Sequence, residues 1–592
     1  MSKLISDLII EFLLKNNIDV IFTLAGGFIG PILNSITKYE IKLYCFNHEQ
    51  AAAMAADGYA RITKKPCCLL ITNGPGASNT ITGVIGAFQD SIPIFVISGQ
   101  VPYQQSLNSQ ELQLRQLGVQ ELNIIPIVKS FTKYCYFIKC KEEVIETLHK
   151  AYSECITNRM GPIWVDIPLD IQNSYIDDTE KKLEFKNIIT PELNKSYVDY
   201  NFIINKINES KKPLILIGNG IKLSNSESIF NEIITKIKIP FVTSWLGKDV
   251  VNNDNNLFCG VIGILGERFS NYAIQTCDLL IILGCRLNVT HIGYDFNNFS
   301  KQSYKIMIDI DNNEMEKKTI NINTRIKSDL SIFLNNFNEL VDLEDNMIKT
   351  DFTLWINKIN LWKNKYSTIE LNIHNLNMDG DVNSYYFSKQ LSKVINKNTI
   401  IVTDTGSSSF SIFQSIHLIN SKIFTAAGQA SMGYGLPASI GAYIADNSNN
   451  IVLIVGDGGF QLNIQELQTI INYNLNIKIF ILNNSGYLAI KIMQQNLFKS
   501  NYIASTNTTG VRPPNFVKIS ESYGIKAYNI NNNNDVETVL NDMFSYNDVC
   551  LCNINMIENQ LITPRVQSSG DNKSLEYMYP FIDTDVMNEE LL

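Results

Sequence analysis

Histidine is scarce in this chain, five in 592 residues with no two adjacent, so chemistry that needs a His-His pair has nothing to use. Cysteine reaches eleven, yet only Cys67 and Cys68 are neighbours, and no CxxC pair or Cys/His ladder appears. The thiols therefore read mostly as core residues of a protein kept in a reducing, cytoplasmic setting. No apolar stretch approaches the roughly 20 residues that span a bilayer, so no membrane is expected as a partner. No long basic run appears and the net charge is −9, which leaves no electrostatic footprint for nucleic acid. The start, "MSKLISDLIIEFLLKNNIDVIFTLAGG", lacks a basic flank followed by an apolar core and a small-residue cleavage site. Its amphipathic period, broken by Ser6, Asp7, Glu11 and Lys15, predicts a first helix of the fold.

What remains is an ordinary globular composition, 45% hydrophobic and 18% charged, in a chain too long for one core. Three regions alternate strands with helical patterns, which predicts an α/β fold of three doubly wound domains with parallel sheets. The first, residues 1–173, contains the strands "IKLYCF", "CCLLIT" and "PIFVIS" and the helix "EQAAAMAADGYARI". A polar stretch, "SYIDDTEKKLEFKNIITPELNKS", reads as a linker. The second region, 190–345, runs from "KKPLILIGNGI" through "CDLLIILGCRL" to "YKIMIDID" and is followed by a predicted helix, "DFTLWINKINLWKNKY". The third, 370–555, opens with "NTIIVTDTGSSSF" and closes with "DVCLCNIN"; a tail, 556–592, shows little periodicity. The first and third regions are candidates for a shared architecture.

The most informative stretch is "IVLIVGDGGFQLNIQELQTIINYNLNIKIFILNNSGY", Ile451 to Tyr487. "IVLIV" and "IKIFIL" are apolar runs suited to strands buried on both faces, and the segment between them has helical spacing. A right-handed βαβ crossover would bring the carboxyl ends of both strands to one sheet edge, placing Asp457 near Asn484. Gly456, Gly458 and Gly459 would let backbone approach a ligand, and the following helix offers its N–H groups to an anion. Hard oxygen donors beside a phosphate seat suit Mg²⁺. A Gly-Asp-Gly turn and a surface Asn pair with no ligand is the alternative for either piece alone.

GDG followed by NN, 29 residues from Gly456 to Asn484 inclusive, resembles the cofactor motif of thiamine-diphosphate-dependent enzymes. The resemblance implies Asp457, Asn484 and the Gly486 carbonyl as Mg²⁺ ligands. It also implies a role for Glu49 in "YCFNHEQAAAMAADGYAR": hydrogen bonding to the pyrimidine ring nitrogen, which drives the tautomer that activates the cofactor. Read without the family, Glu49 is an acid stabilising a helix N-terminus. "TNGPGASN" holds a Gly74-Pro75-Gly76 turn opening a helix; physics alone suggests a phosphate loop, whereas the family places it beside the pyrimidine. In "AAGQASMGYGLPASIGA", Met432 matches the residue that bends the cofactor and Ala430 the carbonyl that accepts from its amino group; core packing is the plain alternative for the Met. Ser407 and Ser408 of "TDTGSSSF" fall beside the diphosphate, where acetolactate synthases usually carry Gln-His; a Ser-rich helix cap is the competing reading.

The order of the segments is similar to that of the acetolactate synthase group: a pyrimidine-binding domain, a central domain and a diphosphate-binding domain. Because Glu49 and Asp457 fall in different domains, the resemblance implies an active site between subunits of a homodimer or homotetramer. Gln120 matches the Gln of that group's "FQE" motif near the substrate, with Val119 in place of Phe. Met493 stands where the group's acceptor-selecting Trp is counted. The group's "GxRFDDRVTG" reads "GCRLNVTHIG": Arg286 is kept and the second Arg becomes Thr290. GNG at Gly218 with Asp309 and Asp311 of "IDID" is compatible with a degenerate dinucleotide fold, which leaves FAD open. The tail resembles acetolactate-synthase-like proteins associated with surface-sugar pathways, with Arg565 either reaching the site or belonging to a docking tail. The implied activity is decarboxylation of pyruvate or a related 2-keto acid with carboligation to a carbonyl acceptor. Alternatives are ligation to a keto-sugar, simple decarboxylation or oxidation, and a non-catalytic cofactor-binding paralogue.

Overall fold

A computed structural model describes residues 2–110, 112–176, 198–343, 348–395, 398–568, 570 and 573–592. Nearly all of the predicted linker lies outside the described residues. Three six-stranded parallel sheets dominate the rest. The first comprises β1 (Val20–Thr23), β2 (Lys42–Cys45), β3 (Cys67–Ile71), β4 (Ile94–Gln100), β5 (Tyr134–Phe137) and β6 (Ile163–Pro168), in the order β2-β1-β3-β4-β6-β5. The second comprises β7 (Pro213–Ile217), β8 (Phe241–Thr243), β9 (Phe258–Val261), β10 (Leu279–Leu283), β11 (Tyr304–Asp309) and β12 (Thr324–Lys327). Its order, β9-β8-β7-β10-β11-β12, is that of a dinucleotide-type doubly wound sheet. The third comprises β13 (Thr399–Thr403), β14 (Lys422–Phe424), β15 (Asn450–Gly456), β16 (Ile477–Asn483), β17 (Lys526–Ile530) and β18 (Cys550–Asn555), in the order β14-β13-β15-β16-β18-β17. The first and third sheets thus share one strand order, as their similar patterning suggested.

These two units join in one core. The helix Glu49–Thr63 lies against the helix Gly435–Ala445, and alanines 51–53, 55 and 56 are buried there with Ala438 and Ala442. Small side chains let the axes come close. A Cβ on Gly58 would sit 2.3 Å from the Ala438 carbonyl oxygen, and one on Gly441 would sit 1.9 Å from that of Ala55. Beside this seam Arg61 pairs with Asp57 at 2.6 Å and Asp90 at 2.7 Å, and the Tyr434 hydroxyl donates to Asp57.

The segment after β15 departs from one continuous helix. It breaks into Asp457–Gln461, a single 3₁₀ turn at Ile464–Glu466 and Leu467–Asn472. At the break the Asn463 side chain donates to the Gly433 carbonyl at 2.7 Å, so a tertiary contact overrides local periodicity. The tail docks on the central unit: the helix Thr584–Leu591 brings Glu590 to Trp362 at 2.6 Å and to Lys365. Arg565 pairs in a short antiparallel ladder with Tyr579 and is half-buried. Among the described residues no helix is long and apolar enough to cross a membrane.

Candidate active site

β15 and β16 are parallel neighbours, with Gly456 opposite Leu482, so the crossover delivers both motif halves to the same edge. Asp457 begins its helix and is 3% exposed. Its Oδ2 accepts the Gly486 N–H at 3.0 Å and its Oδ1 accepts that of Gly458 at 2.7 Å. Burial pushes the carboxyl up to about 6 against those hydrogen bonds. The Asn pair is not a surface feature: Asn484 is 8% exposed, and its side-chain oxygen is buried with no hydrogen-bond partner. Lys491 Nζ donates to the Asn484 carbonyl at 3.2 Å. Gly486 has φ 147°, and a Cβ there would meet the Ser505 carbonyl oxygen at 2.4 Å.

Gly458 is held bare by packing. A Cβ would lie 2.2 Å from the Tyr487 ring and 3.3 Å from the Met432 methyl. Met432 is itself 37% exposed, which is not core packing, and Ala430 has a left-handed φ of 51°. Sequence reasoning missed the residue that fixes this turn. Asp404, buried at the end of β13, accepts the N–H groups of Gly435 at 2.8 Å and Gly433 at 3.3 Å. A Cβ on Gly459 would come within 2.6 Å of its Oδ1. Burial drives Asp404 up to about 6 as well. The available signal was an Asp closing an apolar run, the same pattern as Asp457.

Ser407 is the first residue of the helix Ser407–Ser415, with Gly406 (φ 83°) before it, and no side chain caps the helix. A Ser-rich cap is therefore not what the structure contains. The Ser408 hydroxyl lies against Gly456, 3.6 Å from where a Cβ would be, and both serines share a small cavity with Asn484.

A second cluster forms in the first unit. Glu49 is 8% exposed at the start of its helix; Asn79 Nδ2 donates to its Oε2 at 3.0 Å, and Gly76 lies beside its Oε1. The turn at Gly74 (φ 57°) opens the helix Pro75–Asn79, and a Cβ on Gly74 would fall 2.0 Å from the Gln120 carbonyl oxygen. Gln120 is exposed with φ 57°, and Val119 is 73% exposed. A buried chain of hydrogen bonds supports this loop. Asp166 accepts from Ser98 at 2.6 Å and Gln100 at 3.1 Å, and Asn73 Nδ2 bridges Gln100 Oε1 at 3.2 Å and the Val119 carbonyl at 3.3 Å. Among the described residues no hydrogen bond joins Glu49 or Gln120 to the Asp457 cluster.

Another cavity opens where Gly218, Gly220, Gly284, Arg286 and Asp309 converge at the crevice between β7 and β10, walled also by Asp90 and Arg159 of the first unit and Ala427 of the third. Arg286 Nη1 donates to the Gln89 carbonyl at 2.7 Å, while Thr290 is exposed and bonds Asn288 at 2.6 Å. Asp311 pairs with Arg159 at 2.9 Å. Met493 is exposed on the helix Leu488–Leu497.

The chain matches three models of one family: "Thiamine pyrophosphate enzyme, N-terminal TPP binding domain" over residues 4–126, the "central domain" over 201–337 and the "C-terminal TPP binding domain" over 404–554. It is 31% identical to the acetolactate synthase large subunit of Cyanidium caldarium over 552 residues, 91% of this chain and 90% of the relative. It is 31% identical to the probable acetolactate synthase large subunit of Methanocaldococcus jannaschii, over 95% of this chain and 94% of the relative. The Lactococcus lactis acetolactate synthase large subunit is 30% identical over 89% of this chain and 88% of its own length. With three parallel sheets in the order of those domains, the chain belongs to the thiamine pyrophosphate enzyme family, in its acetolactate synthase-like group.

Proposed function

We propose that this enzyme uses thiamine diphosphate and Mg²⁺ to decarboxylate pyruvate or a related 2-keto acid and to join the two-carbon unit to a carbonyl acceptor. Acetolactate formation is the leading case. The observation that carries this reading is the buried Asp457 carboxylate clasped to Gly486, with an unpartnered Asn484 carboxamide oxygen on the same loop. In this reading Asp457, Asn484 and the Gly486 carbonyl hold Mg²⁺, whose preference is for hard oxygen donors. The turn of Gly456, Gly458 and Gly459 borders the diphosphate through its backbone, flanked by Ser407 and Ser408. When bound, thiamine diphosphate supplies the electron sink for loss of carbon dioxide. Glu49 holds a proton for the pyrimidine at Oε1, because Asn79 occupies Oε2. Met432 and Ala430 shape the cofactor seat, Gly74, Pro75 and Gly76 bound the pyrimidine side, and Gln120 orients substrate.

Glu49 and Asp457 would serve one cofactor across two copies of the chain, so a homodimer is the proposed minimum and a homotetramer its pairing. Exposed apolar side chains support such contacts: Leu112, Leu114 and Val119 on one unit, Ile490, Met493 and Leu497 on the other. The central cavity is the proposed seat of FAD. All eleven cysteines are free, which fits a reducing compartment such as the cytoplasm. The test is carbon dioxide release from pyruvate with and without Mg²⁺, with mass-spectrometric product detection across a panel of keto acids and nucleotide keto-sugars. No Mg²⁺-dependent release overturns the reading, and a colourless purified protein overturns the flavin.

A further inference from the structure

The cavity that Ser407, Ser408 and Asn484 share is also lined by two polar residues that no motif marks, Ser384 and Gln560. Three polar atoms around it lack any hydrogen-bond partner: Ser384 Oγ, Gln560 Nε2 and Asn484 Oδ1. Ser384 is 5% exposed and Asn484 8%. Buried polar atoms are normally satisfied, so three orphans around one small space point to a polar group that belongs there.

The chemistry of that group follows from the donors. Gln560 Oε1 already accepts the Ser384 N–H at 2.9 Å, which turns the amide nitrogen, with two protons to give, toward the cavity. Ser407 opens the helix Ser407–Ser415, whose N-terminus carries no side-chain cap, so one positive dipole end borders the space; that of Ser384–Val394 is already capped by Asn383. None of the lining side chains is charged, so nothing there repels an anion. Hydroxyls, an amide nitrogen and the Ser407 helix N-terminus make a seat for phosphate oxygens. Asn484 Oδ1 is the exception, an acceptor suited to a cation alongside.

We propose that Gln560 and Ser384 donate hydrogen bonds to the terminal phosphate of thiamine diphosphate, so that the segment following the last strand closes the cofactor's phosphate end. This rests on the cofactor reading above. The test is equilibrium binding by calorimetry, at fixed Mg²⁺, of thiamine diphosphate, thiamine monophosphate and inorganic pyrophosphate to the full-length protein. Gln560→Leu and Ser384→Ala should each weaken thiamine diphosphate and pyrophosphate about 10- to 150-fold, the loss of one hydrogen bond to a charged partner, and leave thiamine monophosphate within about twofold. Gln560→Glu keeps the bond from Ser384 and replaces the donor with a carboxylate, so its loss should be larger than that of Gln560→Leu. Unchanged pyrophosphate binding in both Gln560 variants, or equal losses for monophosphate and diphosphate, overturns the subsite and leaves the cavity to water. Asp457→Ala separates the two ideas. If it weakens thiamine diphosphate while the Gln560 variants do not, only the subsite fails; if wild-type protein binds no thiamine diphosphate, the cofactor reading fails with it.

Discussion

The carboxylate of Asp90 accepts the backbone N–H of Gly428 at 2.9 Å, tying the end of one unit's helix to the loop that leads to Ala430 and Met432 in another. The same carboxylate takes Arg61 at 2.7 Å and the Ala427 N–H at 2.9 Å, and it is 4% exposed. Truncation by Asp90→Ala leaves the buried Arg61 without one of its partners. A loss of about 3–5 kcal/mol is expected for breaking such a buried pair. The measurement is the denaturation midpoint, paired with thiamine diphosphate retention on gel filtration. Retention equal to wild type would show that the loop is held by other means.

Gly441→Ala puts a methyl into the Ala55 carbonyl, a backbone atom that cannot swing aside. Overpacking of this kind costs about 1–3 kcal/mol. Gly30→Ala, where nothing lies within 4 Å of the new Cβ, is the matched control. Thermal melts should separate the two substitutions clearly, with the control close to wild type.

Glu49→Gln keeps an oxygen to accept from Asn79 but cannot hold or release the proton at the other position. Cofactor binding should survive, and turnover should fall by about 10²–10⁴-fold. A variant with wild-type kcat would remove Glu49 from the proton path.

The Asp166 carboxyl is pushed up to about 7 by burial, against hydrogen bonds from Ser98 and Gln100 that lower it. An unfolded Asp titrates near about 3.9. Between those values the folded chain binds more protons than the unfolded one, so this group's stabilisation is full at low pH and is lost as pH rises through about 7. Asp166→Asn should flatten that slope, raising Tm relative to wild type more at pH 8 than at pH 5. An identical pH dependence in the two proteins would show that Asp166 is not its source.

Much of the site was legible because it is local. The β-branched runs "IVLIV" and "IKIFIL" announce strands, and Asp457 and Asn484 follow them directly, so topology alone brings the pair to one edge. The Ala-rich stretch after Glu49 announced a helix, though not the partner helix it meets. What escaped was held by partners distant in sequence. Asp404 is written to reach Gly433 and Gly435, and Asp166 to reach Ser98, only after the sheets have formed. The break at Asn463 interrupts a pattern that reads as one helix because the competing acceptor, Gly433, lies 30 residues away. Gln560 had no motif at all; it becomes visible only as an amide nitrogen with nothing to hold.

The seam between Glu49–Thr63 and Gly435–Ala445 also sets a schedule for biosynthesis. The ribosome finishes the first helix roughly 370 residues before it reaches the second, a delay of about 20–75 s at typical elongation rates. Throughout that interval the nascent chain carries a stripe of alanines without its partner helix, so chaperone demand should last until the second helix emerges and fall before release.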